Sequence, residues 1–295
     1  RQGVHVSEVS TTVSPFSVFR NRNFTLLWLA QLVSEKGTSL VSMAASIYVY
    51  RFTGSTLNVG LMLMVTAAPS LLIGLVAGVL VDRSDRRRVM LISDVVRGLL
   101  VLLIPFMLPH GIVWLYLLTF LTASAAQFFN PAHASLLPEL ASEDELTAAN
   151  SMMAISQYGA LVIGFALAGL ITGRYPIEWA FYVDALTFAF SAVCIIALQA
   201  PTLAVEEETT ATAVWSNLQV GLHTITDTEI LRSRFVVFLP TFFLFGLLNT
   251  LRLPFSLEIL DAAEFEYGML ESVTVVGFVL GSLLLAAKGD RLREG

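Results

Sequence analysis

The chain has 295 residues, of which 56% are hydrophobic and 14% are charged, and its net charge is −6. Soluble domains carry about 25% charged residues, so this composition excludes an ordinary soluble protein and favours a membrane protein with several helical spans. The net charge itself says little, because orientation in a membrane depends on where Lys and Arg lie. The single cysteine, Cys194, excludes an internal disulfide and a Cys-based metal site.

Apolar runs in the sequence predict eight membrane-spanning helices, since roughly 20 residues cross a bilayer. A polar turn at 53–56 separates the first two, Pro69 is expected to kink the second, and the Asn130-Pro131 pair is expected to end the fourth. Ser142 and Glu145 have the spacing of a capping box, which is expected to open the fifth. The predicted spans are 24–50, 57–81, 89–108, 112–129, 146–172, 179–198, 235–259 and 267–287. The fold class is therefore all-α, a polytopic transmembrane bundle.

The chain contains a weak internal repeat. A shift of 208 residues places Gly60 on Gly268 and the pair Asp82-Arg83 on Asp290-Arg291. Parallel repeats of this kind occur in transporters that rock one half against the other. We therefore predict a six-helix half over residues 1–199, a cytoplasmic linker over 200–234 and a partial second half over 235–295. The second half would hold two of six helices, which indicates a truncation or a gene fragment.

The most charged stretch follows the second apolar run. We call residues 78–88 the signature loop: residues 57–81 carry no charge, and four arginines then follow within six residues. With the N-terminus inside the cell, the cytoplasmic segments hold twelve of the 17 Lys and Arg residues, the outer loops hold two and the predicted helices hold three. Because Lys and Arg collect in cytoplasmic loops, the sequence predicts a cell-membrane protein with a cytoplasmic N-terminus.

The signature loop resembles a known family. Its pattern Gly78-x-Leu80-x-Asp82-Arg83-x-Asp85-Arg86-Arg87 resembles the loop between the second and third helices of the major facilitator superfamily, where glycine usually occupies the position of Asp85. Shorter pieces resemble the macrolide-efflux and enterobactin-exporter branch: Thr53-Gly54-Ser55, Asn130-Pro131-Ala132, Leu137-Pro138-Glu139, Ala148-Ala149-Asn150 and Asp184-Ala185-Leu186-Thr187-Phe188. Two features of the superfamily are missing, namely the arginine of the fourth helix and a Gly-Pro pair in the fifth, where Gly164 precedes Phe165.

The resemblance implies a conformational latch in the signature loop. Asp82 and Arg83 would pair with the other half when the cytoplasmic side is closed; the latch residues are Gly78, Asp82, Arg83, Arg86 and Arg87. The alternative is a positively charged anchor that only fixes topology. Asp94 and Arg97 lie three residues apart on one helix face, and we expect a salt bridge near the cytoplasmic end, coupled to the latch. The alternative is a local pair that only reduces the cost of burial.

Ionisable residues inside predicted spans are candidates for function by default. Glu35 is a candidate proton carrier and Lys36 a candidate ligand for an anionic substrate group, and the alternative is a structural pair. Arg252 is expected to pair with Glu35, to bind substrate or to extend its side chain to the lipid headgroups. Gln31 either lines the cavity or joins helices. Gly74-x-x-x-Gly78 and Gly277-x-x-x-Gly281 predict close helix contacts.

Together these features predict a secondary transporter that exports a hydrophobic or amphipathic small molecule, driven by the proton gradient. The sequence contains no phosphate-binding loop, nucleophile elbow or His/Cys metal cluster, so we expect neither an enzyme nor a bound cofactor or metal. The expected partners are a small-molecule substrate and the lipid bilayer, without nucleic acid, and the expected state is a monomer. Two alternatives remain open: a truncated membrane protein that does not transport, and an uptake carrier of the same fold.

Overall fold

A computed structural model of the protein describes residues 16–141, 145–199, 224 and 226–292. In these residues the backbone forms helices and no strands, so the predicted all-α class is confirmed. Ser142 of the predicted capping box and most of the predicted linker at 200–234 lie outside the described residues. The helices are α1 Arg22–Thr53, α2 Thr56–Leu72, α3 Gly74–Asp82, α4 Arg86–Met107, α5 Ile112–Leu140, α6 Leu146–Arg174, α7 Glu178–Ala197, α8 Glu229–Pro254 and α9 Glu264–Leu292, with short turns at Ser17–Arg20 and Leu108–His110 and a π-helix at Phe255–Ile259.

The number of apolar spans in the described part of the chain is six, or seven if α2 and α3 form one span. The remaining predicted span, 24–50, corresponds to α1, which has 32 residues and is long enough to cross a bilayer. It is not among the six apolar spans, because its sequence contains polar residues such as Glu35 and Lys36. α1 packs against α6 and α7 and also touches α2 and α5. A helix enclosed by other helices exposes less surface to lipid, so it tolerates a more polar sequence.

The predicted turn between the first two helices is confirmed, and its residues explain the chain reversal. Asn21 caps the start of α1 by accepting hydrogen bonds from the backbone N–H groups of Asn23 and Phe24, at 2.9 and 3.3 Å. Gly54 ends α1 in the left-handed region at φ +60°, which glycine adopts without steric cost. Ser55 then caps α2 by accepting from the N–H of Asn58.

Prolines lie inside both α2 and α5, and neither helix breaks at the proline itself. The expected kink in the second span is present, but it lies at Ile73, four residues after Pro69, where the axes of residues 56–72 and 76–82 differ by 51°. A proline disrupts the turn before it, and the Ile73 N–H still donates to the Pro69 carbonyl at 2.8 Å, so Pro69 does not explain this break. The expectation that Asn130-Pro131 ends the fourth helix is wrong, because α5 continues through Pro131 and Pro138 to Leu140. Such prolines are tolerated where neighbouring helices satisfy the freed backbone groups.

The helices form a bundle with two distinct ends. At the loop end lie the signature loop, the start of α1 and the ends of α5 and α7; the far end is where α1 finishes and α9 begins. α4 packs between α5 and α7, α6 packs against α9, and α2 and α3 lie along α5. One apolar cluster fills the far end, around Ile47 and Phe181, and another fills the loop end, around Phe24 and Leu136. The ionisable residues of α1 and α4 lie between these clusters.

α8 begins at Glu229, six residues before the predicted start, and is the least enclosed of the described helices. Its described side chains from Arg232 to Leu248 are all exposed. It meets α2 only near the far end, where Thr250 lies beside Gly60. α8 therefore takes no part in enclosing the central residues described next.

Candidate functional site

The centre of the candidate site is the ion pair between Asp94 and Arg97 on α4. Their side chains are 0% and 7% exposed, and the Ser191 hydroxyl on α7 donates a hydrogen bond to the second carboxylate oxygen of Asp94. The predicted salt bridge is thus present. It lies deeper than expected, about 12 to 16 Å along α4 from Arg86 at 1.5 Å per residue. The pair is consequently enclosed in the bundle and does not lie beside the signature loop.

Two aromatic rings hold the guanidinium of Arg97 from either side. Its central carbon lies 4.6 Å from the ring centre of Phe129 on α5 and 4.5 Å from that of Phe188 on α7. A desolvated cation over an aromatic face gains up to about 2 kcal/mol. The Nε of Arg97 has no hydrogen-bond partner among the described residues. The cation therefore joins α4, α5 and α7 through its charge and its planar faces as well as through Asp94.

A second buried acid was missed by the sequence analysis. Asp184 on α7 is 1% exposed, and its carboxylate lies against α1 at Gly37, where an added Cβ would clash with Asp184 and Thr187. The charges of Arg97, Asp94 and Glu35 all act on Asp184. The signal was present in the sequence, since Asp184 is an isolated acid in the apolar run at 179–198. The sequence analysis includes Asp184 only as part of the segment that resembles the exporter branch.

Glu35 and its neighbours form the α1 side of the cluster. The side-chain amide of Gln31 donates to the Glu35 carboxylate at 2.9 Å, and both residues are half-buried. The charge of Arg97 acts on Glu35 across the helix interface. The side-chain ammonium of Lys36 makes no hydrogen bond or ion pair within the described ranges. The structural pair between Glu35 and Lys36 is therefore absent there. We call Glu35, Asp94, Arg97 and Asp184 the acid cluster.

Arg252 does not belong to the acid cluster. Its Nη1 binds the carboxylate of Glu271 on α9 at 2.7 Å, with side-chain exposures of 24% and 13%. The expectation that Arg252 pairs with Glu35 is therefore wrong, because an acid on the neighbouring helix of its own half takes the guanidinium. The pair joins α8 to α9 inside the second half.

The signature loop binds its own half of the molecule in this conformation. Arg86 forms an ion pair with Glu139 near the end of α5 and donates to the Ser135 carbonyl at 3.5 Å. Arg87 donates to the carbonyls of Ile195 and Ile196 at the end of α7, with 2.9 Å to the first. Cations at a helix C-terminus also meet the negative end of the helix dipole. The two arginines thereby tie α4 to the ends of α5 and α7.

Asp85, at the position where the resembled family usually has glycine, is the N-cap of α4. Its carboxylate accepts the Arg88 backbone N–H at 3.1 Å and also contacts the Arg88 side chain at 3.2 Å. Asp82 and Arg83 are exposed, with no ion pair in the described part of the chain, and the space around Gly78 is open. The latch between halves stays a prediction.

The two halves meet at the far end. The Tyr50 hydroxyl donates to Glu258 of the π-helix, and Arg51 pairs with Glu264 at the start of α9. The Ser272 hydroxyl of α9 donates to the Val162 carbonyl of α6 at 2.8 Å. The described part of the chain is therefore closed between the halves at the far end.

The comparison with protein families decides the identity of this architecture. The model described as Major Facilitator Superfamily matches residues 27–294. The chain belongs to the Major Facilitator Superfamily. The expected resemblance is thereby confirmed, and the protein is a multi-pass membrane protein of a transporter family.

Several curated relatives are transporters, and some are named as exporters. The uncharacterized MFS-type transporter YfiS of Bacillus subtilis is 31% identical over 61% of this chain and 43% of its own length. Macrolide efflux protein A of Streptococcus pyogenes is 21% identical over 90% of this chain and 67% of its own length. The putative bacilysin exporter BacE of Bacillus subtilis is 30% identical over 54% and 40%. The chain thus spans less than half of YfiS and BacE.

Within this superfamily chain, the close helix contacts differ from those predicted. A Cβ at Gly164 would lie 2.6 Å from the Ser39 Cβ on α1, and one at Gly169 would lie 2.6 Å from the Glu264 carbonyl at the start of α9. Gly268 is pressed equally closely against α6. The predicted close contacts of the other glycines were wrong for the part of the chain that the structure describes: Gly74 has one ordinary neighbour there, and Gly78, Gly277 and Gly281 have none within 4 Å.

Proposed function

We propose that the protein is a secondary transporter that exports a hydrophobic or amphipathic small molecule in exchange for protons. Export is supported by the names of two relatives, a macrolide efflux protein and a putative bacilysin exporter. Family membership supports a transport role but gives neither direction nor substrate. An uptake carrier remains the other outcome of the same assay.

Proton coupling is supported above all by one observation, the acid cluster. Three carboxyl groups on α1, α4 and α7 share the field of one arginine inside a membrane bundle. Ionisable groups in membrane spans are costly and mark ion or proton pathways. Three negative charges around one positive charge are unfavourable in a low dielectric, so the cluster favours binding of protons. Glu35 is its least enclosed acid and the candidate that exchanges the proton.

We place the signature loop in the cytoplasm and the protein in the cell membrane, and we propose a monomer without cofactor. The orientation is supported by the distribution of Lys and Arg along the sequence. In this orientation the far end, where α1 meets the second half, faces outwards and is closed. Arg86 and Arg87 then brace the cytoplasmic ends of α5 and α7 during the transport cycle.

The test uses the full-length gene product in proteoliposomes with an imposed pH gradient and a panel of macrolides, siderophores and dyes. We expect at least one panel compound to be moved against its concentration gradient, and the movement to stop when an uncoupler removes the pH gradient. Glu35→Gln should abolish the dependence on pH gradient, while Glu266→Gln, a matched change at the exposed start of α9, should leave it intact. Unchanged gradient-driven transport in Glu35→Gln would remove Glu35 as the proton carrier.

A further inference from the structure

Asp184 is the most enclosed acid of the described chain without a cation bonded to it. It is 1% exposed and occupies the notch that Gly37 leaves on α1. The described hydrogen bond to its carboxylate comes from the Thr187 hydroxyl at 3.1 Å, and the same hydroxyl also lies 2.8 Å from the Asp184 backbone carbonyl. A threonine hydroxyl has one hydrogen to donate. The carboxylate therefore receives at most a shared hydrogen bond.

The nearby cation, Arg97, is already bonded to another acid. Arg97 bonds to Asp94, which also receives the Ser191 hydroxyl. The charged groups that act on Asp184 from the packed helices are Glu35 of α1 and Asp94 and Arg97 of α4, with Lys36 beside Glu35. Residues 146–173 of α6 contain no Asp, Glu, Lys or Arg. The acids around Asp184 thus outnumber the cations bonded to them.

Burying an ionised carboxylate without a bonded cation costs far more than burying the neutral acid. Asp94 has its guanidinium and a hydroxyl donor, and Glu35 is half-buried with the Gln31 amide. Among the described residues, the Asp184 carboxylate has neither a bonded cation nor an unshared hydrogen-bond donor. Of the three acids, Asp184 is the one that the geometry favours in its neutral form.

We propose that Asp184 is a second proton-binding site, which holds a proton while α1 packs against α7 and exchanges it when these helices separate. This inference rests on the proposed function only for the role of the exchange in transport. The link to the transport cycle is α1 itself: Gly37 abuts Asp184, and Tyr50, about 20 Å further along the same helix, contacts the second half. We expect opening of the far end, which breaks the Tyr50 contact, to shift α1 against α7 inside the first half and to uncover the proton. On separation, the O–H bond of the acid breaks and its proton passes to the Glu35 carboxylate or to water.

The test is infrared spectroscopy of the full-length gene product in lipid at neutral pH, which needs no substrate. A protonated carboxyl has a C=O stretching band separate from that of carboxylates. We expect the wild type to show this band, Asp184→Asn to lose it and Asp94→Asn to keep it. Absence of the band in the wild type, or its persistence in Asp184→Asn, would overturn the assignment. If Asp184→Asn fails to fold, Asp184→Glu is the second variant, because it keeps the acid and should shift the frequency of the band. A band at an unchanged frequency in Asp184→Glu would overturn the assignment.

Transfer into D2O then separates an exchanging proton from a permanently structural one. We expect the band to shift to lower frequency, more slowly than the exchange of exposed amides, because exchange requires separation of α1 from α7. A band that never shifts over many hours would refute a role in the transport cycle. Failure of the proposed function would be seen in a different measurement. In that case the wild type would transport independently of the pH gradient, while the infrared band and its loss in Asp184→Asn would be unchanged.

Discussion

The buried ion pair of α4 yields a quantitative prediction for Arg97→Leu. The pair has side-chain exposures of 0% and 7%, so removing the guanidinium leaves Asp94 enclosed with only the Ser191 hydroxyl. Breaking a buried pair by deleting one partner costs roughly 3 to 5 kcal/mol. The leucine also forfeits the contacts of the guanidinium with the rings of Phe129 and Phe188. We therefore expect the free energy of unfolding to fall by about 4 kcal/mol.

The assay is an SDS titration of the protein in mixed micelles, followed by the reactivity of the buried Cys194 thiol as the only cysteine. Arg88→Leu is the matched control, since Arg88 forms a pair with Asp85 that has the same three-residue spacing on the same helix but is 82% exposed on the arginine side. Exposed pairs contribute under about 1 kcal/mol. The double variant Asp94→Leu with Arg97→Leu should recover most of the loss, because an apolar replacement of both partners is often neutral.

Two results would refute this reasoning. One is a loss below about 1 kcal/mol for Arg97→Leu, which would place the pair in the range of exposed ion pairs. The other is a double variant whose loss of unfolding free energy exceeds the sum of the losses in the two single variants. That result would mean that the two charges do not compensate each other in the fold. Either result would also remove the acid cluster as an electrostatic unit.

Three further predictions concern the ends of the bundle. Gly169→Ala places a Cβ 2.6 Å from the Glu264 carbonyl, so we expect the closed far end to lose about 1 to 3 kcal/mol. A cysteine introduced at Thr172 should then react faster with a thiol reagent. Gly159→Ala on the same helix meets no described atom within 4 Å, so it should leave this reactivity unchanged and raise stability by about 0.5 to 1 kcal/mol. Asp85→Ala should lower stability by about 1 kcal/mol through loss of the α4 cap, and Asp85→Asn should restore most of it. Glu139→Gln should free the Arg86 side chain and increase proteolysis at the signature loop.

Each of these predictions has a clear contrary result. Equal labelling at Thr172 in both glycine variants would show that Gly169 does not control the far end. An Asp85→Asn variant as unstable as Asp85→Ala would show that capping is not what Asp85 contributes. Unaltered proteolysis of Glu139→Gln would mean that the Arg86 contact does not hold the loop.

The sequence could predict the helices because apolar runs and turn residues are local signals. It placed the turn at Gly54 correctly, and the charged signature loop indicated the family, but the kink expected from Pro69 lies four residues further along, at Ile73. It failed at Pro131 because neighbouring helices decide whether a membrane helix continues through a proline. It failed for the close-contact glycines because a small-residue pattern does not say which helix approaches, and the structure uses Gly37, Gly164, Gly169 and Gly268 instead.

The candidate site shows the same division between local and long-range information. Asp94 and Arg97 were found because their spacing on one helix is a local property. Asp184 was missed as a site residue, and Arg252 was assigned the wrong partner. In both cases the contacts depend on which helices pack together, and the contacting residues are more than a dozen positions apart in the sequence. An isolated acid or base in an apolar run thus indicates a buried site, while its partner has to come from the packing.

The central claim is that substrate and protons cross the membrane in exchange through this bundle. The most direct measurement follows the internal pH of proteoliposomes containing the full-length gene product when a transported panel compound is added outside without a preset pH gradient. The account predicts that entry of the compound drives protons out, so the interior becomes alkaline, and that Glu35→Gln abolishes this change. Movement of the compound with no change of internal pH in the wild type would contradict the account.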